Sequence, residues 1–248
     1  MVTTARIKDI KSLKDKKNRT ESGLFVVEGR KMVDELCKSD FEAVEIFALK
    51  HLIDNYSSCK AKTCVITEVT EKELNRMSNM TVADGVLAVV KKKKILSASQ
   101  DGLILALDNI NNPGNLGTII RSAAWFGIKT VVCNHMTVDC YNPKVLQSTM
   151  GAIFYTDIIY TVLDEFLSCR KDTVIYGTTP IGGTDIYKED LSKSGVVIIG
   201  NETHGISKEV ERYITHPLTI PSFSEGGKIE SLNASVACSI ILSEFMRR

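Results

Sequence analysis

Apolar and polar positions follow two rhythms along the chain. Over residues 3–17, Ile7, Ile10 and Leu13 recur at the spacing of one helical face, which predicts a helix. LFVVEG (24–29), bounded by Gly23 and Gly29, reads as a strand, and a helix is expected over 30–38. AVEIFAL (43–49), CVITEV (64–69) and GVLAVVKK (85–92) read as further strands, and EKELNRM (71–77) as a helix. The polar, small-residue stretch KKILSASQDG (93–102) is the expected boundary between a domain at 1–95 and one at 102–248.

Beyond that boundary, GLILALDNI (102–110) is continuously apolar, as expected of a strand buried on both faces. Pro113 stands where helices start, and Leu116, Ile119, Ile120, Ala123 and Ala124 share a face, so 113–126 is predicted helical. KTVVC (129–133), TVIYGTT (173–179), GVVIIG (195–200) and PLTIP (217–221) read as short strands. Helices are expected over 142–150, 163–170, 206–213 and 231–246. Strands alternating with helices indicate βαβ units and a parallel sheet. The fold class is therefore α/β: a parallel-sheet C-terminal domain after a smaller N-terminal α/β domain.

Composition narrows the class. With 248 residues, 44% hydrophobic and 25% charged, the chain has ordinary globular usage, which excludes a disordered chain, a collagen and a coiled-coil rod. No apolar run approaches the ~20 residues of a membrane helix, and MVTTARIKDIKSLKDKK lacks the apolar core of a signal peptide. Seven scattered cysteines without a C-x-x-C pair, and four histidines without an H-x-x-x-H pair, suggest reduced, mostly buried thiols in a cytosolic protein and no metal site. The net charge of +1 hides an asymmetry: residues 1–100 carry 19 Lys and Arg against 14 Asp and Glu, the remainder 12 against 16. A basic half suits a polyanion partner, although a solvated basic helix has the same composition.

In a parallel α/β sheet, ligands bind beyond the carboxyl ends of the strands. Three polar loops follow such ends: DNINNPGNLGTIIRSA (108–123), NETHGIS (201–207) and SFSEGGKIESLNASVA (222–237). Each has a plain structural reading, since Asn and Gly favour turns, Ser231 suits a helix cap, Glu202 suits a helix start and Arg121 suits a salt bridge. Three such loops on one sheet favour a shared site. NNPGNLG is not G-x-G-x-x-G, SEGGKI lacks the first glycine and the Ser/Thr of a P-loop, and no G-x-S-x-G occurs, which argues against dehydrogenase, NTPase and serine-hydrolase chemistry.

NNPGNLGTIIRSAAWFG, IIGNETHGIS and IPSFSEGGKIESLNASVA resemble the three motifs of the SpoU (TrmH-type) RNA 2′-O-ribose methyltransferases, of the SPOUT class, in the right order and at the right strand ends. SLKDKKNRTESGLFVVEGRKMVDEL (12–36) is similar to the ribosomal-protein-like substrate-binding domain that many members carry. The resemblance implies a deep trefoil knot, bound S-adenosylmethionine, an RNA substrate and a homodimer with the active site near its interface. It assigns catalytic positions to Asn115, Arg121, Glu202, Ser231 and Asn233. It assigns cofactor contacts to Gly200, Ile220, Leu232 and Thr178. Lys16, Lys17, Arg19, Arg30 and Lys31 are then the expected phosphate contacts of the N-terminal domain. Two positions depart from the family pattern: the SEGGK insertion lengthens the third motif, and His204 stands where a small or variable residue is usual.

The implied reaction moves a methyl from a sulfonium to a ribose hydroxyl, so the protein must position and activate that hydroxyl. Arg stays protonated, so Arg121 is expected to clamp a phosphate and stabilise the developing oxyanion. Ribosomal RNA, 23S above all, is the favoured substrate. Transfer RNA, or a non-catalytic RNA-binding role, remains the alternative.

Overall fold

The computed structural model describes residues 2–57, 59, 64–94, 102–224 and 231–247. Most of the expected boundary stretch (95–101), and the part of the third motif at 225–230 that holds most of the SEGGK insertion, lie outside the described residues. The chain forms two compact units. One comprises the described residues of 1–94 together with Tyr141–Tyr155; the other comprises those of 95–140 and 156–248.

The first unit begins with helices α1 (Thr4–Ser12) and α2 (Lys16–Ser22). It continues through β1 (Leu24–Glu28), α3 (Arg30–Lys38), β2 (Ala43–Leu49), α4 (Ile53–Tyr56), β3 (Val65–Val69), α5 (Glu71–Met77) and β4 (Val86–Lys91). The four strands lie in the order β1-β4-β2-β3, with β4 antiparallel to β1 and β2, and β3 parallel to β2. Ile7, Ile10, Leu74 and Met77, from α1 and α5, bury one face of this sheet against Val26, Phe47 and Val89. The residues of 141–155 add two aromatic contacts to this unit, Tyr141 on Phe25 and Phe154 on Phe41, with ring centroids 4.4 and 5.1 Å apart.

The single helix expected over 3–17 is two helices with a turn between them. Arg19 causes the break. Its guanidinium donates to the carbonyl oxygens of Leu13 (2.8 Å) and Lys14 (2.6 Å), and the Asn18 amide donates to that of Ser12 (2.9 Å). A continuing helix would need those carbonyls for its own N–H groups. Arg19 is only 2% exposed, so its charge serves the fold. This corrects its expected place among the phosphate contacts. The cysteine expectation is also corrected in part: Cys37 and Cys59 form a disulfide, their Cα atoms 4.8 Å apart. Cys133, Cys140 and Cys238 are buried and outside the disulfide, and burial pushes Cys238 up to about 12.

The second unit opens with β5 (Leu103–Leu107), α6 (Pro113–Trp125) and β6 (Thr130–Cys133). The chain then contributes α7 (Pro143–Thr149) to the first unit. It returns through β7 (Asp157–Tyr160), α8 (Leu163–Ser168), β8 (Ile175–Thr178), β9 (Thr184–Asp185), β10 (Gly195–Ile199), α9 (Lys208–Glu211), β11 (His216–Thr219) and α10 (Ala234–Arg247). The strand order is β7-β6-β5-β10-β8-β11-β9, and every pairing is parallel. β5 and β10 sit centrally and are buried along their whole length, which explains their continuously apolar sequences. The edge strands β7 and β9 were not expected from sequence: one is half-buried throughout and the other is two residues long.

Side chains alternate between the two faces of this sheet. Ile104, Ala106, Ile175, Val196 and Ile198 meet Leu163 and Leu167 of α8 and Val210 of α9. Tyr176, one residue beyond Ile175, meets Phe245 of α10 edge-on, with centroids 4.9 Å apart. α10 is joined to α6 by a 2.7 Å hydrogen bond between the Ser122 and Ser239 hydroxyls. Because the strands are parallel, the carboxyl ends of β5, β8, β10 and β11 open at one edge, and all three polar loops leave from it. No helix among the described residues is long and apolar enough to cross a membrane.

α5 carries a reciprocal cap. The Glu73 N–H donates to the Thr70 hydroxyl (3.3 Å), and the Glu73 carboxylate accepts from the N–H groups of Thr70 (2.9 Å) and Val2 (3.0 Å). The Thr70 backbone and hydroxyl bonds, ahead of the Val2 bond, pull the Glu73 carboxyl down to about 2 from 4.5. Its stabilising contribution is complete above pH 4.5 and is lost as the pH falls toward 2. Thr70→Ala is expected to cost about 1 kcal/mol in denaturant unfolding. Glu73→Gln is expected to flatten the acid limb of stability against pH in that window.

Candidate active site

The base of the site is a buried polar knot at the end of β5. Asp108 is 1% exposed, and its carboxylate accepts from the Asn134 amide (2.7 Å) and from the Ser207 N–H (2.7 Å). Asn109 takes a positive φ of 60°, a conformation Asn tolerates better than most residues. Its carbonyl accepts from the Asn201 amide at 2.8 Å. The loop after β5 therefore holds both ends of the 201–207 loop. Each buried polar atom here has a partner, as burial demands. Sequence reading missed Asp108, Asn109, Asn134 and Asn201 as site residues; the signal available for three of them was a polar residue directly after a strand of apolar ones.

The 201–207 loop folds back on itself. Asn201 and Gly205 exchange backbone hydrogen bonds at 2.9 Å in both directions, and the Asn201 side chain caps the N–H groups of Thr203 (2.9 Å) and His204 (3.1 Å). Gly200 lies directly beneath this turn, where a Cβ would overlap the backbone of Gly205 and Ile206. Only glycine admits so close an approach.

Asn112 caps α6, its side chain accepting from the N–H groups of Gly114 (2.8 Å) and Asn115 (3.3 Å). This turns Asn115 inward, where it is 9% exposed. Asn115 is the hub of the three motifs. Its amide nitrogen donates to a Glu202 carboxylate oxygen, and its amide oxygen accepts from the Asn233 nitrogen at 3.0 Å. The Asn233 oxygen in turn accepts from the N–H (3.0 Å) and hydroxyl (2.6 Å) of Ser235, fixing the start of α10. An amide both donates and accepts, so one side chain ties a carboxylate to a second amide.

Beside this chain opens a cavity of about 970 Å³. Thr178, Gly200, Ile220 and Leu232, the four expected cofactor residues, all line it, together with Glu202 and Ser231. Its inner wall is apolar, with Ile199 and Ile241 almost wholly buried. The cavity suits a ligand of drug-like size, with aliphatic walls for a flat heterocycle and polar groups at strand ends for its substituents. S-adenosylmethionine meets that description. His204 also lines the cavity and is exposed.

Arg121 is not among the lining residues. It is exposed on α6, without a hydrogen-bond or ion-pair partner among the described residues. In the other unit, Lys16 and Lys31 are exposed, Lys17 lies 3.9 Å from Glu21, and Arg30 pairs with Asp84 at 3.1 Å. Among the described residues no group of three His, Cys, Asp or Glu is placed to hold a metal ion.

The hub generates a measurable coupling. In a double-mutant cycle of Asn115→Ala and Asn233→Ala, denaturant unfolding is expected to return an interaction energy of about 0.5–3 kcal/mol. Strict additivity would show that the two amides act independently.

Residues 102–243 match the SpoU rRNA Methylase family, and residues 4–88 match the MRM3-like substrate binding domain. The 23S rRNA (guanosine(2553)-2'-O)-methyltransferase RlmP of Bacillus subtilis is 28% identical over 241 residues, covering 96% of this chain and 94% of that protein. A putative RNA methyltransferase of the TrmH family from Porphyromonas gingivalis superimposes with a TM-score of 0.91 at 30% identity, covering 100% of this chain and 99% of the other. An AdoMet-bound rRNA methyltransferase from Sinorhizobium meliloti superimposes with a TM-score of 0.88 at 26% identity, covering 100% and 96%. The motif match runs through the residues that form the hub and the cavity, and the chain belongs to the SpoU rRNA methylase family.

Proposed function

We propose that this protein transfers a methyl group from S-adenosylmethionine to a ribose 2′-hydroxyl of 23S ribosomal RNA, in the cytoplasm. The observation that carries the reading is the Glu202–Asn115–Asn233 chain beside the cavity. The relatives named above, including one that acts on 23S rRNA and one crystallised with AdoMet, support the same substrate and cofactor. The proposal extends to a trefoil-knotted backbone around the loops after β8, β10 and β11.

When bound, S-adenosylmethionine supplies an electrophilic methyl on a sulfonium. The chain's own residues then have three tasks. Thr178, Gly200, Ile220 and Leu232 hold the cofactor. Asn115 and Asn233 orient the ribose, while Glu202 and Ser231 keep those amides in register. Arg121 clamps a phosphate of the target and stabilises the oxyanion that develops as the hydroxyl loses its proton.

The proposal includes a homodimer. Among the described residues Arg121 has no polar partner, and Trp125, one turn further along α6, is 84% exposed. A second copy packed on this face covers the indole and brings Arg121 to the partner's cavity. In a methylation assay on unmodified 23S rRNA, Arg121→Ala is expected to lower kcat by at least ~10², the scale for one charge-stabilising donor, with cofactor affinity retained. Mixing Arg121→Ala with a chain whose cavity is blocked by Leu232→Trp, at a half-exposed lining position, is expected to restore turnover, because one of the two sites in each mixed dimer is whole. Failure to restore it would place each Arg121 at its own chain's cavity. A 2′-deoxyribose at the target abolishes the product under this reading. Product from transfer RNA instead of 23S rRNA would overturn the substrate.

Lys16, Lys17, Arg30 and Lys31 contact phosphates in this reading. Deleting 1–95 would bare Tyr141 and Phe154, so substitution is the cleaner test. Changing Lys16, Lys17 and Lys31 together to Ala is expected to weaken RNA binding. The log–log salt dependence should become shallower by about 0.7–0.9 per lost contact.

A further inference from the structure

Ile181 and Phe223 both line the cavity, yet they are 82% and 88% exposed. Residues that border a cavity while giving most of their surface to solvent form its lip. They come from the loops after β8 and β11, which are hydrogen-bonded neighbours. Phe223 stands between two serines whose hydroxyls bond to each other at 3.0 Å, a short turn that presents the ring outward. The ring makes no aromatic or cation contact among the described residues. The inner wall already has its apolar surface from Ile199 and Ile241, so Phe223 is not needed to build it.

We propose that Phe223 is a stacking platform for a base of the RNA substrate, at or next to the nucleotide whose ribose is methylated. This rests on the proposed 2′-O-methyltransferase reading. A ribose oxygen is best presented to the mouth of the cavity by a nucleotide in a single-stranded loop or bulge, where the bases lack stacking partners. An exposed ring on the lip replaces one partner, independently of which base it meets. Ile181 offers an aliphatic edge at the same mouth. The other occupant of such a ring is the cofactor's own adenine, with Phe223 closing over it, and the two are separable by measurement.

The test uses the full-length protein, in-vitro-transcribed 23S rRNA and S-adenosylmethionine. Phe223→Ala and Phe223→Leu are expected to raise KM for the RNA by about 10-fold or more, the scale of one base–aromatic stack. Phe223→Tyr is expected to stay within about twofold, because it keeps the ring. Cofactor Kd, measured by calorimetry without RNA, is expected to be unchanged in all three. A matching loss of cofactor affinity in Phe223→Ala would overturn the proposal in favour of a cofactor lid. Equal losses in the Tyr and Leu variants, or none in any, would also overturn it. Filter binding of the same transcript reads the stack without turnover: wild-type binding that weakens in Phe223→Ala supports the platform even if no methyl is transferred. That absence of transfer would overturn the substrate reading alone.

Discussion

The site depends on one side-chain amide that is fully used. Asn115 gives its nitrogen to Glu202 and its oxygen to Asn233. Asn115 lies in the first turn of α6, Glu202 in the loop after β10 and Asn233 just before α10. A hydrogen bond to a charged group is worth about 1.5–3 kcal/mol, and leaving the buried Asn115 amide unpaired costs about 1–3 kcal/mol. The loops are therefore held in mutual register by a few directional bonds, on a sheet whose own stiffness comes from apolar packing. The amide does both at once because its nitrogen donates and its oxygen accepts at separate atoms.

That amide can do this only because the sheet delivers the loops to one edge. In an all-parallel sheet every strand ends on the same side, so the loops after β5, β10 and β11 leave from one edge. The Asp108 carboxylate adds rigidity from beneath: it joins the end of β5 to the loop after β10 while wholly buried. Gly200 lets that loop lie flat against its own strand end. The result is a cavity with a stiff floor and, at the lip, side chains such as Phe223 that give most of their surface to solvent.

The first unit follows a different economy of charge. Its basic composition suited a polyanion partner, yet the structure divides those residues by role. Arg19 closes the end of α1 from inside, and Arg30 meets Asp84, while Lys16 and Lys31 remain at the surface. A guanidinium with five donors can satisfy several carbonyls at a helix break, whereas a lysine ammonium stays hydrated on a flexible stem. Composition counts both kinds of residue alike.

What could be read without coordinates was whatever depends on local pattern. The doubly buried strands β5 and β10 showed as continuous apolar runs, α6 as a Pro-led amphipathic segment, and the three motifs as polar loops directly after strands. Periodicity and turn chemistry are properties of neighbouring residues, so the chain states them outright. The helix break at Arg19, the two edge strands, the Cys37–Cys59 pairing and the part played by Asp108 and Asn134 were not legible. Most of these depend on which distant segment lies alongside, and a carbonyl, thiol or carboxylate looks the same in sequence whether or not its partner arrives. The family resemblance assigned Asn115, Glu202 and Asn233, with Arg121 and Ser231, to one site; only the folded sheet decided that the Asn115 amide joins Glu202 to Asn233, because strand order sets which loop ends come within hydrogen-bond reach.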